Sequence, residues 1–333
     1  MLNSILRKFS RPRSRTLSLT CLIASATSLS AQTTPTSATD AVGYREQIAP
    51  SAGTITVPNT AVVPENNNLK LSAMFEHDFK ADLKSGAAGN LNVNQFELRG
   101  DYALNLSAKD RLIVGAEYMY LNFEFNGGPA PFGNVQQVGA NVYYTHGFDG
   151  GWGMFGFLYG GSAAESSGSM NHGGQGGVAV GPTWDTGKNL TLAFGPMYFS
   201  RIEDHGAVTL MLNMDWAFAP QWNLYLYTGI SSGATVTYDL FNDHKTIVDA
   251  SLMYDSFWFA ARDNPAGARQ GVNQTDMTLK VGIRQALTPA VFLRGYAAAI
   301  FEREYQFHVD DHSTNSFKVD PTLGVGVEIG LAF

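Results

Sequence analysis

The sequence predicts an all-β chain that forms a single antiparallel transmembrane β-barrel of about 14 strands, with about 12 as the alternative count. Three observations predict it. Apolar and polar residues alternate from Leu69 to the end of the chain, the alternating segments are long, and the links between them are alternately short and long. Because successive side chains on a strand point to opposite faces, each segment has one apolar and one polar face.

The first 31 residues have the features of a secretory signal peptide. Basic residues come first, the apolar stretch Leu17–Leu29 follows, and small residues after it predict cleavage behind Ser30 or Ala31. The apolar stretch is too short to span a bilayer. Residues 32–66 are rich in Thr, Ser, Pro and Ala, which predicts a largely disordered periplasmic linker. The barrel is therefore expected to take residues 67–333.

Charge and cysteine content exclude several classes of function. The chain carries a net charge of −7, and loss of the five basic residues of the signal peptide leaves −12. Such an acidic chain is a poor partner for nucleic acid, whose phosphates attract basic surfaces. Cys21 is the only cysteine and lies in the segment to be removed, so the mature chain has no thiol nucleophile, disulfide or thiolate metal site.

The alternation is clearest in Leu69–Phe75, Phe96–Leu106, Val208–Phe218 and Met277–Ile283. The segments run for ~10–16 residues, whereas globular strands have about 5–6 and a tilted strand needs ~9–11 to cross a bilayer. This length favours a membrane barrel over a soluble sandwich. Aromatic residues near the segment ends are expected to form the interfacial girdles of such a barrel: Tyr118, Tyr120, Tyr143, Tyr144, Trp152, Trp184, Tyr198, Trp216, Trp222, Tyr225 and Tyr227.

The connections predict the orientation of the barrel. Short turns, expected on the periplasmic side, lie at 107–110, 148–151, 186–189, 219–221, 241–245 and 288–290. Moderate outer loops are expected near 80–90, 126–134, 165–174, 202–206, 261–274 and 308–315. The stretch Tyr227–Asp239 decides the strand count, because a tight outer turn at Ser231–Gly233 gives fourteen strands and its absence gives twelve. We predict fourteen, which keeps both termini periplasmic.

The last strand carries the strongest single pattern. Every second residue from Leu323 to Phe333 is apolar, and the residues between are small or polar. This ending resembles the C-terminal recognition strand of bacterial outer-membrane proteins. The resemblance implies an outer-membrane location, contact with membrane lipids and lipopolysaccharide, and Phe333 as the signal read by the barrel assembly machinery. Residues 69–333 also resemble an uncharacterised outer-membrane β-barrel family, which implies no particular substrate.

Charged residues within the strands mostly share the polar phase, and we expect them to line the lumen: Glu97, Arg99, Asp101, Glu117, Asp215, Asp249, Asp255, Lys280, Arg284, Arg294, Glu302 and Glu328. Acids in an aqueous pore favour cations, whereas paired acids and bases can close a lumen. We predict a non-enzymatic passive pore for small polar solutes or ions. The alternatives are a structural barrel with an ion-paired, closed lumen and a barrel hydrolase that uses Ser or Asp with His.

No catalytic, cofactor-binding or metal site is predicted, and no cofactor is expected. The seven histidines lie at strand ends or in loops, many beside acids. The densest group of potential ligands comprises His308, Asp310, Asp311 and His312. Its loop has no helical pattern that would bring residues four apart onto one face. The sequence therefore predicts that these histidines and acids are solvent-exposed loop residues that bind no ligand.

Overall fold

The computed structural model describes residues 69–84, 88–187, 189–229, 231–262 and 269–333. The predicted signal peptide and linker lie outside the described residues. In the described part of the chain, no helix is long and apolar enough to cross a membrane.

The described residues form sixteen antiparallel strand segments. Their bounds are β1 (Leu69–Lys84), β2 (Asn90–Asn105), β3 (Asp110–Asn126), β4 (Val135–Gly147), β5 (Trp152–Glu165), β6 (Gly174–Asp185), β7 (Leu190–Arg201), β8 (Asp204–Ala219), β9 (Trp222–Thr228), β10 (Ser232–Asp239), β11 (Thr246–Ala261), β12 (Gln270–Thr288), β13 (Val291–Ile300), β14 (Arg303–Val309), β15 (His312–Val319) and β16 (Thr322–Ala332). Two single-turn 3₁₀ helices, Asp149–Gly151 and Met170–His172, lie in the connections.

The strands close into a barrel. Consecutive strands pair from β1 to β13, and β16 pairs with both β13 and β1. The backbones of Leu69 and Phe333 exchange two hydrogen bonds, of 3.2 and 2.9 Å, at the closure. Because β14 extends β13 along β12, and β15 leads into β16 beside β1, the sixteen segments occupy fourteen positions. The predicted single antiparallel barrel of fourteen strands is confirmed.

The two ends of the barrel differ. We call the end that carries Leu69, Phe333 and the short turns the turn end, and the opposite end the loop end. The strands reach further at the loop end than the sequence suggested. β14 and β15 are joined by a turn of only two residues, Asp310 and Asp311, where a loop over 308–315 was expected. Both aspartates have positive φ (47° and 64°), a conformation that Asp adopts more readily than most residues.

The outward face of the barrel is apolar. Leu98, Leu158, Leu210, Ile283 and Val327 are all exposed there, as a lipid-facing surface requires. At the turn end, aromatic rings form a girdle in which Trp152 stacks on Trp184 with 5.6 Å between centroids. Three of the aromatic residues predicted for the girdles do not belong to it, because their side chains point inward and are buried: Tyr143, Tyr225 and Tyr227.

At one level of the barrel, the inward-facing and outward-facing residues exchange places on three neighbouring strand positions, which we call the phase shift. On β1 the inward residues have even numbers up to Asp78 and odd numbers from Ala81, and the pairing with β2 changes register between these two residues. The same change separates β13 from β14, because Ile300 pairs with Thr278 whereas Glu304 pairs with Thr275. β15 and β16 keep register with both neighbours through the shift. One extra residue per strand, as in a β-bulge, therefore exchanges the two faces.

Two apolar clusters occupy the interior. One fills the loop end with residues from β1–β5, β11, β12, β14 and β15, and it includes Phe123, Phe259 and Tyr305. The other lies on the inner face of β3–β8 and includes Phe155 and Met211. Most of the inward charged side chains lie on the strands from β11 around to β2, so the lumen has a largely charged side and a largely apolar side.

Candidate functional site in the barrel interior

The structure places eleven of the twelve charged residues predicted for the lumen on the inward phase of their strands, and it places one elsewhere. Glu302 is exposed, in the two-residue break between β13 and β14. The extra residue at this break turns Arg303 inward instead. Glu302 is therefore a correction to the sequence prediction, and its physical cause is the phase shift described above.

The first part of the charged side is built around Glu76 on β1. Lys280 on β12 donates a hydrogen bond to Glu76 Oε2 at 2.5 Å, and the Tyr296 hydroxyl on β13 donates to the same oxygen at 2.7 Å. The Lys280 ammonium also lies 4.9 Å from the centre of the Tyr296 ring. All three side chains are buried. The group joins three positions of the barrel wall through its interior.

Arg303 on β14 makes the second part. Its guanidinium donates to both carboxylate oxygens of Asp276 on β12, at 2.9 and 3.1 Å, and to Asp78 on β1 at 2.8 Å. Each of these side chains is buried. A buried charge is tolerated when an opposite charge and hydrogen bonds compensate its lost hydration, and here one cation serves two acids.

Arg294 on β13 makes the third part. It donates to both oxygens of Asp249 on β11, at 3.0 and 2.6 Å, and lies 3.6 Å from Glu328 on β16. The guanidinium also lies 4.7 Å from the centre of the Tyr296 ring. We call the residues of these three parts the ion-pair layer: Glu76, Asp78, Asp249, Asp276, Lys280, Arg294, Tyr296, Arg303 and Glu328.

The remaining predicted lumen residues also face the interior, outside the ion-pair layer as defined. Glu97 and Arg99 form an ion pair on β2. Glu117 accepts hydrogen bonds from the Gln137 amide at 2.7 Å and the Tyr159 hydroxyl at 3.2 Å. The others also face the interior, half-buried in the first case and buried in the rest: Asp101, Asp215, Asp255 and Arg284.

A ring from a loop fills the loop end. Phe132 lies in the connection between β3 and β4, yet it is only 1% exposed. Its ring centroid lies 5.0 Å from that of Phe123, 5.2 Å from that of Phe259 and 5.1 Å from that of Tyr305. The interior at this level is thus packed with aromatic side chains. We call this set, with Phe132 at its centre, the aromatic stopper: Phe123, Phe125, Phe132, Phe259, Tyr305, Phe307 and Phe317.

Glu165 holds the connections around the stopper. One oxygen of this buried carboxylate accepts the backbone N–H of Gly133, beside Phe132, at 2.7 Å. The other accepts the backbone N–H of Arg262, just after β11, at 2.8 Å. Ala164 and Ala260 form a single parallel bridge between β5 and β11 nearby, although the two strands are far apart in the barrel order. The ends of β5 and β11 therefore meet across the loop end.

The two ends of the interior differ in open space. Between the ion-pair layer and the stopper lies a cavity of about 30 Å³, lined by residues such as Asp78, Leu121 and Phe257. It has room for about two water molecules. At the turn end, a cavity of about 630 Å³ lies among the turns and is lined by residues including Arg111 and Thr191. We call this cavity the vestibule.

A clamp of hydrogen bonds stands at the rim of the vestibule. Asp110 accepts from the Ser107 and Tyr144 hydroxyls, each at 2.5 Å, and lies 2.7 Å from His146 Nδ1. These hydrogen bonds favour the ionised carboxylate and hold the pKa of Asp110 below its usual range. The clamp joins the turn before β3 to the end of β4.

Several residues that organise the interior were missed by sequence reasoning. Glu76 and Asp78 follow the inward phase of β1, a signal that was available, but neither is among the residues predicted for the lumen. Arg303 and Tyr305 continue the alternation only after the phase shift. Phe132 lies in a Gly- and Pro-rich loop, where alternation gives no information about burial.

No family model and no curated protein matches the sequence. Several solved structures are similar. An outer-membrane channel from Pseudomonas putida F1 is 10% identical, with 84% of this chain and 100% of that chain covered and a TM-score of 0.48. A FadL homologue from Pseudomonas aeruginosa is 8% identical, with coverages of 80% and 91% and a TM-score of 0.48. The NanC porin is 12% identical, with coverages of 79% and 100% and a TM-score of 0.35.

Proposed function

We propose that the chain is an outer-membrane channel that is closed at its loop end and opens to pass small polar solutes or ions. One observation carries the proposal: the centre of the stopper, Phe132, belongs to a loop and not to the barrel wall. A loop residue can withdraw without breaking the ladder of hydrogen bonds that closes the barrel. The vestibule at the turn end already offers an open entrance that polar and apolar groups line together.

The charged side of the lumen would guide the permeating solute. Both signs of charge are present, and an ionic or strongly polar solute can compete with the contacts of the ion-pair layer because its own groups resemble those side chains. A wholly apolar solute has no charged or polar group that could replace these contacts. This is our reason for preferring polar solutes, although the opposite side of the lumen is apolar.

The location that we propose follows from the outward face and the last strand. The apolar outward surface would contact lipid and lipopolysaccharide in the outer membrane, with the turn end in the periplasm and the loop end outside. Phe333 would be read by the assembly machinery after secretion through the inner membrane. Its ring is 59% exposed at the barrel closure, where an assembly factor could reach it.

A structural barrel with a closed lumen is the second candidate. The observation in its favour is the burial of the ion-pair layer itself, because Glu76, Asp249 and Arg303 are each buried in a lumen that would have to conduct. In this case the ion pairs would be permanent cross-links, and the stopper would be part of the core.

Single-channel recording in planar bilayers separates the two candidates. We would compare the wild type with Phe132→Ala, which removes the central ring of the stopper. Phe79→Ala is the matched control, because Phe79 is an exposed residue on the outward side of β1. Heat-modifiable migration would show that each variant is a folded barrel before it is recorded.

For a channel we expect Phe132→Ala to raise the open probability or the conductance well above that of the wild type, and Phe79→Ala to leave both unchanged. If folded wild type and folded Phe132→Ala both stay at the leak of the bare bilayer, the pore proposal fails and the closed barrel stands. An equal increase in Phe79→Ala would show that the effect does not come from the stopper.

A further inference from the structure

Two turns that are distant in the barrel order meet over the loop end. β7 and β8 are separated from β14 by the four strands β9–β12. Nevertheless the turn between β7 and β8 reaches β12, where the carbonyl oxygen of Ile202 lies 2.3 Å from the place that a Cβ on Gly271 would take. Only glycine permits this approach. His205 Nδ1 at the start of β8 lies 3.5 Å from Asp311 Oδ1 in the turn between β14 and β15.

Three side chains at this meeting point present ligand atoms to one another. Atoms of Asp204, His205 and Asp311 all lie within 4.8 Å of one another. His205 Nδ1 is 4.0 Å from Asp204 Oδ1. A Zn²⁺ ion binds nitrogen and carboxylate oxygen at about 2.0–2.2 Å, so ligand atoms of a tetrahedral site lie roughly 3.3–3.6 Å apart. Small rotations of exposed side chains would bring the three atoms to these distances.

A fourth potential ligand approaches the same carboxylate from the buried side. His308 on β14 is only 7% exposed, and its ring stacks on Trp258 with 4.8 Å between centroids. Neither ring nitrogen has a hydrogen-bond partner among the residues that the structure describes. Nδ1 lies 3.9 Å from Asp204 Oδ2. A buried imidazole without a partner is unfavourable, and a metal ion at the carboxylate would satisfy it.

Arg201 orients the shared carboxylate. Its guanidinium donates to Asp204 Oδ2 at 3.1 Å and lies 5.3 and 5.5 Å from the ring centres of Phe199 and Trp258. The other oxygen of Asp204 accepts the backbone N–H of His205 at 2.7 Å. Two carboxylates and one guanidinium leave the group with a net negative charge, which attracts a divalent cation.

We infer that Asp204, His205 and Asp311, with His308 as the fourth ligand, form a binding site for a divalent transition-metal ion of the Zn²⁺ class. Imidazole nitrogens suit Zn²⁺, whereas Ca²⁺ and Mg²⁺ prefer sites made of oxygen alone. A bound ion would tie the turn between β7 and β8 to the β14–β15 hairpin across the loop end. It would also hold closed the end that contains the stopper. Metal binding does not require that the barrel conduct.

The test uses the full-length barrel in detergent with Zn²⁺ alone and Co²⁺ alone as probes. Zn²⁺ affinity is measured by calorimetry and by the rise in melting temperature, and Co²⁺ coordination by its visible absorption. His205→Gln removes a ligand that is well exposed, so the variant should fold. His312→Gln is the matched control, because His312 is an exposed histidine in the same hairpin, and its Nδ1 lies 2.5 Å from the carbonyl oxygen of Asp310.

We expect one Zn²⁺ per chain, a higher melting temperature with Zn²⁺ but not with Ca²⁺, and tetrahedral Co²⁺ absorption. His205→Gln should weaken Zn²⁺ binding by more than the ~10–100-fold that changes around a metal ligand cause. His312→Gln should bind as the wild type does. Absence of binding by the wild type, or equal affinity of the wild type and His205→Gln, would overturn the site whatever the conductance experiments give.

Discussion

Replacing Arg303 by methionine removes the cation at the centre of one part of the ion-pair layer and keeps an unbranched side chain of similar length. Arg303 makes three hydrogen bonds of 2.8–3.1 Å to Asp78 and Asp276, and all three side chains are buried. After the change, two carboxylates stay buried without their guanidinium. Breaking a buried ion pair in this way costs about 3–5 kcal/mol. Since two acids lose one partner, we expect a loss near 5 kcal/mol in the free energy of unfolding.

A compensating variant tests the cause of that loss. In Arg303→Met combined with Asp78→Asn and Asp276→Asn, no charge remains to be compensated at this place, and neutral replacements of a buried ion pair are often tolerated. Most of the lost stability should return. Arg111→Met is the control for loss of an inward arginine, because Arg111 is only half-buried and lines the open vestibule. Loss of this side chain should change stability much less than loss of Arg303, by about 0.5–1 kcal/mol.

The measurement is urea unfolding of each barrel in lipid vesicles, followed by tryptophan fluorescence and checked by heat-modifiable migration. If Arg303→Met lies within about 1 kcal/mol of the wild type, an effect that an exposed ion pair would give, the buried ion pair does not stabilise the barrel as expected. A charge-based cause is also contradicted if the triple variant is no more stable than Arg303→Met alone. In that case the loss would come from packing of the arginine side chain and not from its charge.

Three further perturbations test other parts of the barrel. Leu210→Arg should cost ~2–4 kcal/mol in vesicle unfolding, because this 60% exposed residue lies six residues above the girdle tryptophan Trp216, near mid-membrane; Leu106→Arg, at a turn, should cost about 0–1. Asp110→Asn should lower the melting temperature at neutral pH. Because the folded barrel holds the pKa of Asp110 below its value in the unfolded chain, the ionised carboxylate stabilises the barrel at any pH above the usual aspartate range. This stabilisation is lost as the pH falls towards the lowered pKa, so the melting temperatures of the wild type and Asp110→Asn should converge in strong acid. A difference in melting temperature that stays constant with pH would contradict this. Phe333→Ala should reduce membrane insertion in cells while refolded protein keeps its melting temperature, and the opposite pattern would make Phe333 a packing residue.

The barrel could be predicted from the sequence because lipid imposes a simple requirement. Each residue of the outward phase must be apolar along the whole span, so alternation in segments such as Val208–Phe218 gives the strand, its phase and its length together. The strand count was predicted from a different requirement, that both termini lie on the periplasmic side, and the structure has the tight turn that fourteen strands need, since β9 ends at Thr228 and β10 begins at Ser232. The lengths of the strands beyond the membrane were less predictable, because no lipid constrains which of their residues must be apolar there.

The interior was predicted less well because residue type alone does not give the direction of a side chain. Tyr143 and Tyr225 are as suitable for a membrane interface as Trp152, and only their phase separates them. The burial of Phe132 depends on contacts between segments that are distant in sequence. The meeting of His205 with Asp311 has the same origin: the sequence grouped Asp311 with His312, its neighbour in the chain, whereas the fold brings it to another turn.

The phase shift explains why charge and aromatic packing can follow one another along the same strands. On β14 the inward residues after the shift include Arg303, Tyr305 and Phe307. Had the alternation of β13 continued without the extra residue, Glu304 and Gln306 would face the interior at the level of the stopper, and the aromatic rings would face outward. Because β1 and the β15–β16 strand shift with it, the whole patch changes phase without losing its ladder. The position of Glu302 is thus a consequence of the packing above it, and a strictly periodic interpretation of the sequence could not place it.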